Sequence, residues 1–152
     1  MGFLSFLFKK KRRILIFHNV SLCAYLKKVC GDARIILRDR RYVALTLSDF
    51  MYFQRLARTT KKPKYEKEKF DCDDFAITYW ADIKRMWAKR HKGNEALACG
   101  IVDGEFIAKT DEKPFSHTMI WVLTKDNGLT FIEPQIDAIP LYSVDRIKRL
   151  EG

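Results

Sequence analysis

The apolar positions of this chain change period part-way along, and that change predicts its elements. Between residues 71 and about 91, Phe75, Tyr79, Ile83, Met86 and Trp87 recur at helical spacing, while Asp82, Lys84, Arg85 and Lys89 face elsewhere. This is the stripe of an amphipathic helix, with Trp80 and Trp87 read as core, and Gly93 sits just past its end as a C-cap does. A shorter helix is expected after Thr46, which forms a capping box with Asp49 ahead of Phe50, Phe53, Leu56 and Ala57. A lysine-rich loop separates the two helices; its Pro63 cannot continue a helix. Upstream, residues 14–17 and 33–37 are short, β-branched runs that read as strands, with a helix over 21–29 between them. The last third turns strand-like over 96–102, 106–108, 117–124 and 129–132, punctuated by Asp103-Gly104 and Asp126-Asn127-Gly128. The expected class is α+β: a helical N-terminal half whose long helix packs on an antiparallel sheet.

Composition narrows the classes without choosing among them. A length of 152 residues suits one domain over 1–152. With 47% apolar and 32% charged residues, the chain is neither disordered nor a disulfide scaffold, and its apolar runs are too short to span a bilayer. Residues 1–13 run Phe3, Leu4, Phe6, Leu7, Phe8 and then Lys9 to Arg13, the reverse of signal-peptide order. They are expected to form a flexible or interfacial segment. The net charge of +10 comes from scattered basic clusters and would suit an anionic partner, but no zinc-finger, RNP-like or basic-zipper spacing accompanies it. Cys23, Cys30, Cys72 and Cys99 include no CxxC pair, which favours free thiols in a reducing, cytoplasmic compartment.

One constellation carries chemistry. Cys72 opens the long helix in Asp71-Cys72-Asp73-Asp74-Phe75, where the partial positive charge of unpaired amides favours a thiolate. A nucleophilic thiol also needs a base and a group that orients the base. His91 lies at the far end of the same helix, on the order of 28 Å away at 1.5 Å per residue. His18 precedes the site, so His117, opening a strand in Ser116-His117-Thr118, is the candidate base. Glu133 in Phe131-Ile132-Glu133-Pro134-Gln135 is the candidate orienter, because a carboxylate ending an apolar strand is costly without a partner. Register decides whether they meet. A two-residue Asn127-Gly128 turn would put His117 and Glu133 on opposite faces, whereas a five-residue loop over 123–127, or a bulge, sets them together. The longer loop is the expectation.

Cysteine at a helix start, then a strand-borne histidine, then an acid one strand on, resembles the papain-like and transglutaminase-like cysteine peptidases. Over residues 65–137 the motifs are most similar to the calcium-dependent protease domain of the Marasmius oreades agglutinin, whose stand-alone relatives occur in bacteria and phages. The resemblance implies a papain-like fold and a cysteine hydrolase that cleaves a peptide or amide bond of a protein or peptide substrate, in the host cytoplasm if the chain is phage-encoded. Cys72 would be the nucleophile, His117 the general base and then acid, and Glu133 the orienter of the imidazole. Asp73, Asp74 and Gln135 would match calcium-holding positions, where a cation would offset the effect of two carboxylates on the thiol. Two alternatives stand beside this reading: a peptidoglycan amidase or endopeptidase, and a catalytically inactive basic binding module for nucleic acid or protein.

Overall fold

A computed structural model describes residues 15–57, 71–108, 113–136, 139–140 and 142–152. The basic N-terminal segment and the lysine-rich loop with Pro63 lie outside the described residues. Helices form at the three places the spacing indicates: α1 (Asn19–Cys30), α2 (Leu47–Ala57) and α3 (Cys72–Arg90). Strands fall into two sheets. The smaller has the order β1-β3-β4, from β1 (Leu15–His18), β3 (Arg41–Ala44) and β4 (Ala96–Leu97). The larger has the order β2-β8-β5-β6-β7, from β2 (Arg34–Ile36), β8 (Tyr142–Glu151), β5 (Cys99–Ala108), β6 (Phe115–Thr124) and β7 (Gly128–Ile132).

The expected plan, a papain-like helical half on an antiparallel sheet, is corrected. A third strand, β3, joins the two expected in the first half, β3 runs parallel to β4, and β2 runs parallel to β8. Among the described residues, strand outnumbers helix, 42% against 36%. Two strands escaped the pattern for physical reasons. In β3, Tyr42, Val43 and Ala44 are consecutively buried, so no alternation exists to be read. In β8 most positions are exposed, among them the charged Asp145, Arg146, Lys148 and Arg149, and only Ile147 and Leu150 are buried. Its cations are held by neighbours instead: Lys148 meets Glu105 at 2.7 Å and Arg149 meets Asp103 at 2.6 Å. Asp103-Gly104 is not a turn but the middle of β5, beside a register shift against β8. Glycine is needed there because a Cβ at 104 would lie 2.6 Å from the Arg146 carbonyl.

β6 organises the core. Residues 118–124 are buried without a break, so this strand is covered on both faces. On one side Met119, Trp121 and Leu123 pack with Leu22 and Leu26 of α1 and Leu150 of β8. On the other, Ile120 and Val122 pack with Ile83, Tyr79 and Ala76 of α3 and Phe50 of α2. The sheet is thus sandwiched between α1 and the α2–α3 pair. The β6–β7 turn adds a second tie. Leu47 donates its N–H to Asp126 Oδ1 at 2.9 Å, and the Lys125 N–H reaches the Leu45 carbonyl at 2.9 Å.

Thr46 caps α2 as its spacing predicts, accepting the Asp49 N–H on Oγ1 at 3.1 Å. Thr46→Ala should therefore cost about 1 kcal/mol and lower the thermal midpoint by about 3 °C. An unchanged midpoint in thermal unfolding would show that Asp126 alone suffices to hold this helix start.

Candidate functional site

Cys72 is the first residue of α3, and α3 lies across β6, which carries His117. Asp71 is the N-cap, and its own N–H is accepted by Asp74 Oδ2 at 3.3 Å, so Asp74 faces back to close the cap. That closure sets the direction in which α3 leaves, and with it the position of the thiol. From there Cys72 hydrogen-bonds to the His117 ring and to Thr118 of β6.

His117 is gripped from the far side by Glu133. His117 Nε2 and Glu133 Oε2 lie 2.5 Å apart. Glu133 is 4% exposed. Its second oxygen, Oε1, accepts the Gln135 N–H at 3.1 Å, so both oxygens of this buried carboxylate are engaged. Aromatic rings fence the imidazole: Phe115, Tyr142 and Phe106 lie with centroids 5.7, 6.0 and 6.3 Å from it. They keep water from the His117–Glu133 contact and leave the ring little freedom to turn.

The register that permits this contact is neither of the two considered from sequence. Thr124 pairs with Gly128 and Ile120 with Ile132, so the loop is three residues, Lys125 to Asn127. Gly128, at φ 68°, takes up the left-handed turn that closes it. Continued by one residue, this register sets Glu133 diagonal to His117 on the same face, within reach of a long side chain. The five-residue loop is thus corrected.

The electrostatics follow from these contacts. The hydrogen bond to His117 holds the Cys72 thiol below its ordinary 9.0; burial opposes this, and the Thr118 N–H reinforces it. Burial by itself would lower the His117 pKa, but hydrogen bonds to Cys72 and Glu133 and their negative charges outweigh it and raise the imidazole to about 9. The two shifts agree. Both shifts favour the charged pair, thiolate beside imidazolium, over the neutral one.

A shallow cleft of about 160 Å³ opens over the thiol, lined by Cys72, Asp103, Gly104, Ser116, His117, Thr118 and Lys148. Thr118 and Asp103 are the residues that sequence reasoning missed. Thr118 Oγ1 donates to Asp103 Oδ1 at 2.9 Å, and Asp103 Oδ2 accepts from Arg149 Nε at 2.6 Å, so a chain of contacts braces the strand under the thiol. Asp103 reads as a turn residue in sequence; only the Asp103↔Thr118 pairing of β5 with β6 reveals its place.

Of the expected calcium ligands, Asp73 lies beside the thiol. Its carboxylate, with Asp71 and Cys72, falls in a cluster whose donor atoms are all within 4.8 Å of one another. Asp71 Oδ1 is buried there with no hydrogen-bond donor on it. Hydrogen bonding to Asp73 raises the Asp71 carboxyl above its ordinary 3.8, as two carboxylates in contact should. Asp74 is occupied with the helix cap. Gln135 enters the site through its backbone N–H on Glu133.

No protein-family model matches the chain, and no curated protein does either. Solved structures do. The chain is similar to PSL1a in its E64 complex, with a TM-score of 0.68 and 23% identity over 91% of this chain and 51% of that one. It is also similar to Polyporus squamosus lectin bound to the human-type influenza-binding epitope Neu5Acα2-6Galβ1-4GlcNAc, with a TM-score of 0.62 and 25% identity over 85% of this chain and 45% of that one. The chain thus spans about half the length of the solved structures it matches.

These structures correct the family and the activity expected from sequence. They are of a lectin, a carbohydrate-binding protein, so the papain-like and transglutaminase-like assignment is withdrawn. With it go the reading as a peptide- or amide-cleaving cysteine hydrolase and its peptidoglycan amidase variant. The physical reason is that three short motifs describe a local constellation, which unrelated folds can hold, whereas the fold is set by the packing of the whole chain.

The raised imidazole gives a test of the His117–Glu133 contact. A folded pKa above the ordinary 6.5 contributes stability that is complete below about 6.5 and is lost as pH rises through about 9. Glu133→Gln should therefore be less stable than the parent at pH 6, with the gap narrowing steadily between pH 7 and 9.5. Urea unfolding across that range reads it; a gap of constant size would mean the contact does not depend on the imidazolium.

Proposed function

We propose that this chain is a ligand-binding domain whose functional site is Cys72, His117 and Glu133, and that its ligand meets an activated thiol there. The observation that carries this is one imidazole that lies 2.5 Å from a buried carboxylate and also hydrogen-bonds the Cys72 thiol. A buried structural thiol needs none of this, and Cys99 shows the contrast. Wholly buried in the core, Cys99 has its pKa pushed up to about 12 by desolvation and remains a neutral thiol. Cys72 sits half-buried at the floor of an open cleft with a cation beside it. Such a thiol adds readily to an electrophilic carbon, so the ligand class favoured is one that brings a polarised or electrophilic carbon over Cys72. A binding role agrees with the comparisons, which support the binding-module alternative over the hydrolase. No described helix is long and apolar enough to cross a membrane.

Iodoacetamide tests the site directly, because alkylation needs the thiolate and releases iodide. At pH 6.5, Cys72 should react at least about ten-fold faster than a free thiol of ordinary pKa, and His117→Ala should abolish that advantage. Equal rates in parent and variant, with the variant still folded by circular dichroism, would overturn the proposal.

Calcium is the second component of this reading. Asp71 and Asp73 offer the carboxylate oxygens that calcium prefers, and the unsatisfied Asp71 Oδ1 is the kind of atom a cation would complete. When bound, the ion would supply positive charge beside the thiol. Millimolar calcium should raise the thermal midpoint of the parent and leave that of Asp73→Asn unchanged; equal shifts in both would remove Asp73 from the site.

A further inference from the structure

A second cleft lies where β1 ends and β3 begins. It encloses about 400 Å³ and is lined by His18, Arg40, Arg41 and Asn94. Three separate stretches of chain supply these residues. His18 and Arg41 are partners across the β1–β3 pair, and Arg40 precedes Arg41. Asn94 stands in the loop that leads from α3 into β4, which the Tyr42↔Ala96 pairing draws alongside β3.

Every lining side chain can donate hydrogen bonds and none is acidic. The acids nearby are already committed. Glu95 spends one oxygen on Arg41 at 3.0 Å and the other on His91 at 3.1 Å, and Asp39 lies 3.8 Å from Lys84. Arg40 is exposed and has no carboxylate partner among the described residues. α1 begins on this same wall: His18 is its N-cap, no side chain caps the first turn, and that turn holds no acidic residue. The Asn19 N–H is taken by the Arg40 carbonyl at 3.0 Å, which ties the helix start to the arginine that lines the cleft. The partial positive charge of the helix start adds to that of the guanidinium groups.

We propose that this cleft is an oxyanion site, separate from Cys72, that takes the phosphate group of a small molecule. A planar carboxylate is satisfied by a single guanidinium fork. A tetrahedral phosphate presents oxygens in several directions, and the unpaired Arg40, the His18 imidazole and the Asn94 amide, arriving from three segments beside the Glu95-paired Arg41, match that need. The size favours a small molecule over a nucleic-acid strand, since a volume of about 400 Å³ is that of a small-ligand pocket. A surface that follows a nucleic-acid backbone also needs a run of uncompensated cations. Among the described residues, several other cations are already paired: Arg38 with Glu151, Arg149 with Asp103 and Lys148 with Glu105.

Calorimetric titration of the full chain with inorganic phosphate tests the assignment. One saturable site is expected, weakened at least about five-fold by Arg40→Ala and by Asn94→Ala, both exposed changes that leave the core untouched. Lys27→Ala removes the same charge from the last turn of α1 and should change nothing. Absence of binding, or equal weakening by Lys27→Ala, would overturn the proposal in favour of diffuse charge. Arg40-dependent binding of a DNA duplex that phosphate fails to displace would overturn the small-molecule assignment and make the surface a nucleic-acid contact.

Discussion

The 2.5 Å contact between His117 and Glu133 exists because β6 and β7 pair at one register and not at its neighbours. A slip of one residue would carry Glu133 to the opposite face and leave a buried carboxylate without a partner, at a cost of several kcal/mol. The three-residue turn closed at Gly128 fixes that register, and the same turn holds the start of α2 through Asp126. Site and scaffold are thus set by one short hairpin. Because β6 is buried on both faces, it cannot shift to accommodate a different loop without disturbing both halves of the core.

The chemistry at Cys72 follows from that fixed frame. A thiol at a helix start receives some stabilisation from the helix itself, but here the first cause of its lowered pKa is His117, and the His117 pKa is raised by its hydrogen bonds to Cys72 and to Glu133 together. Register brings the carboxylate to the imidazole, and the imidazole and the thiol then shift one another. The carboxylates of Asp71 and Asp73 work against the thiolate, which is why a cation at that point would matter to the same site. None of this chemistry by itself names an activity. The fold is shared with half the length of a lectin, and the constellation describes what Cys72 can do to a ligand rather than which ligand arrives.

The chain also separates its two charged regions. Around Cys72 the cations of β8 are matched by Glu105 and Asp103, so the cleft there is a mixed, compensated surface. At the start of β3 the compensation stops at Glu95 and leaves Arg40 over. An excess of +10 spread over a chain therefore says little about where an anion would bind. The ion pairs decide which part of that excess is available.

What the sequence determined by itself was local. The three helices, the Thr46 cap of α2 and the meeting of His117 with Glu133 were all legible, because helical spacing, capping and the cost of a lone buried acid are properties of short stretches. Tertiary structure decided the rest. β3 and β8 were invisible because one is buried on both faces and the other is covered in charges that find partners only across the sheet. Asp103 looked like a turn until β6 and β8 were laid on either side of it. The β6–β7 register, the parallel pairings and the resemblance to a lectin's fold depend on contacts between residues far apart in the chain. No local pattern encodes such contacts, since each is chosen by the packing of everything else.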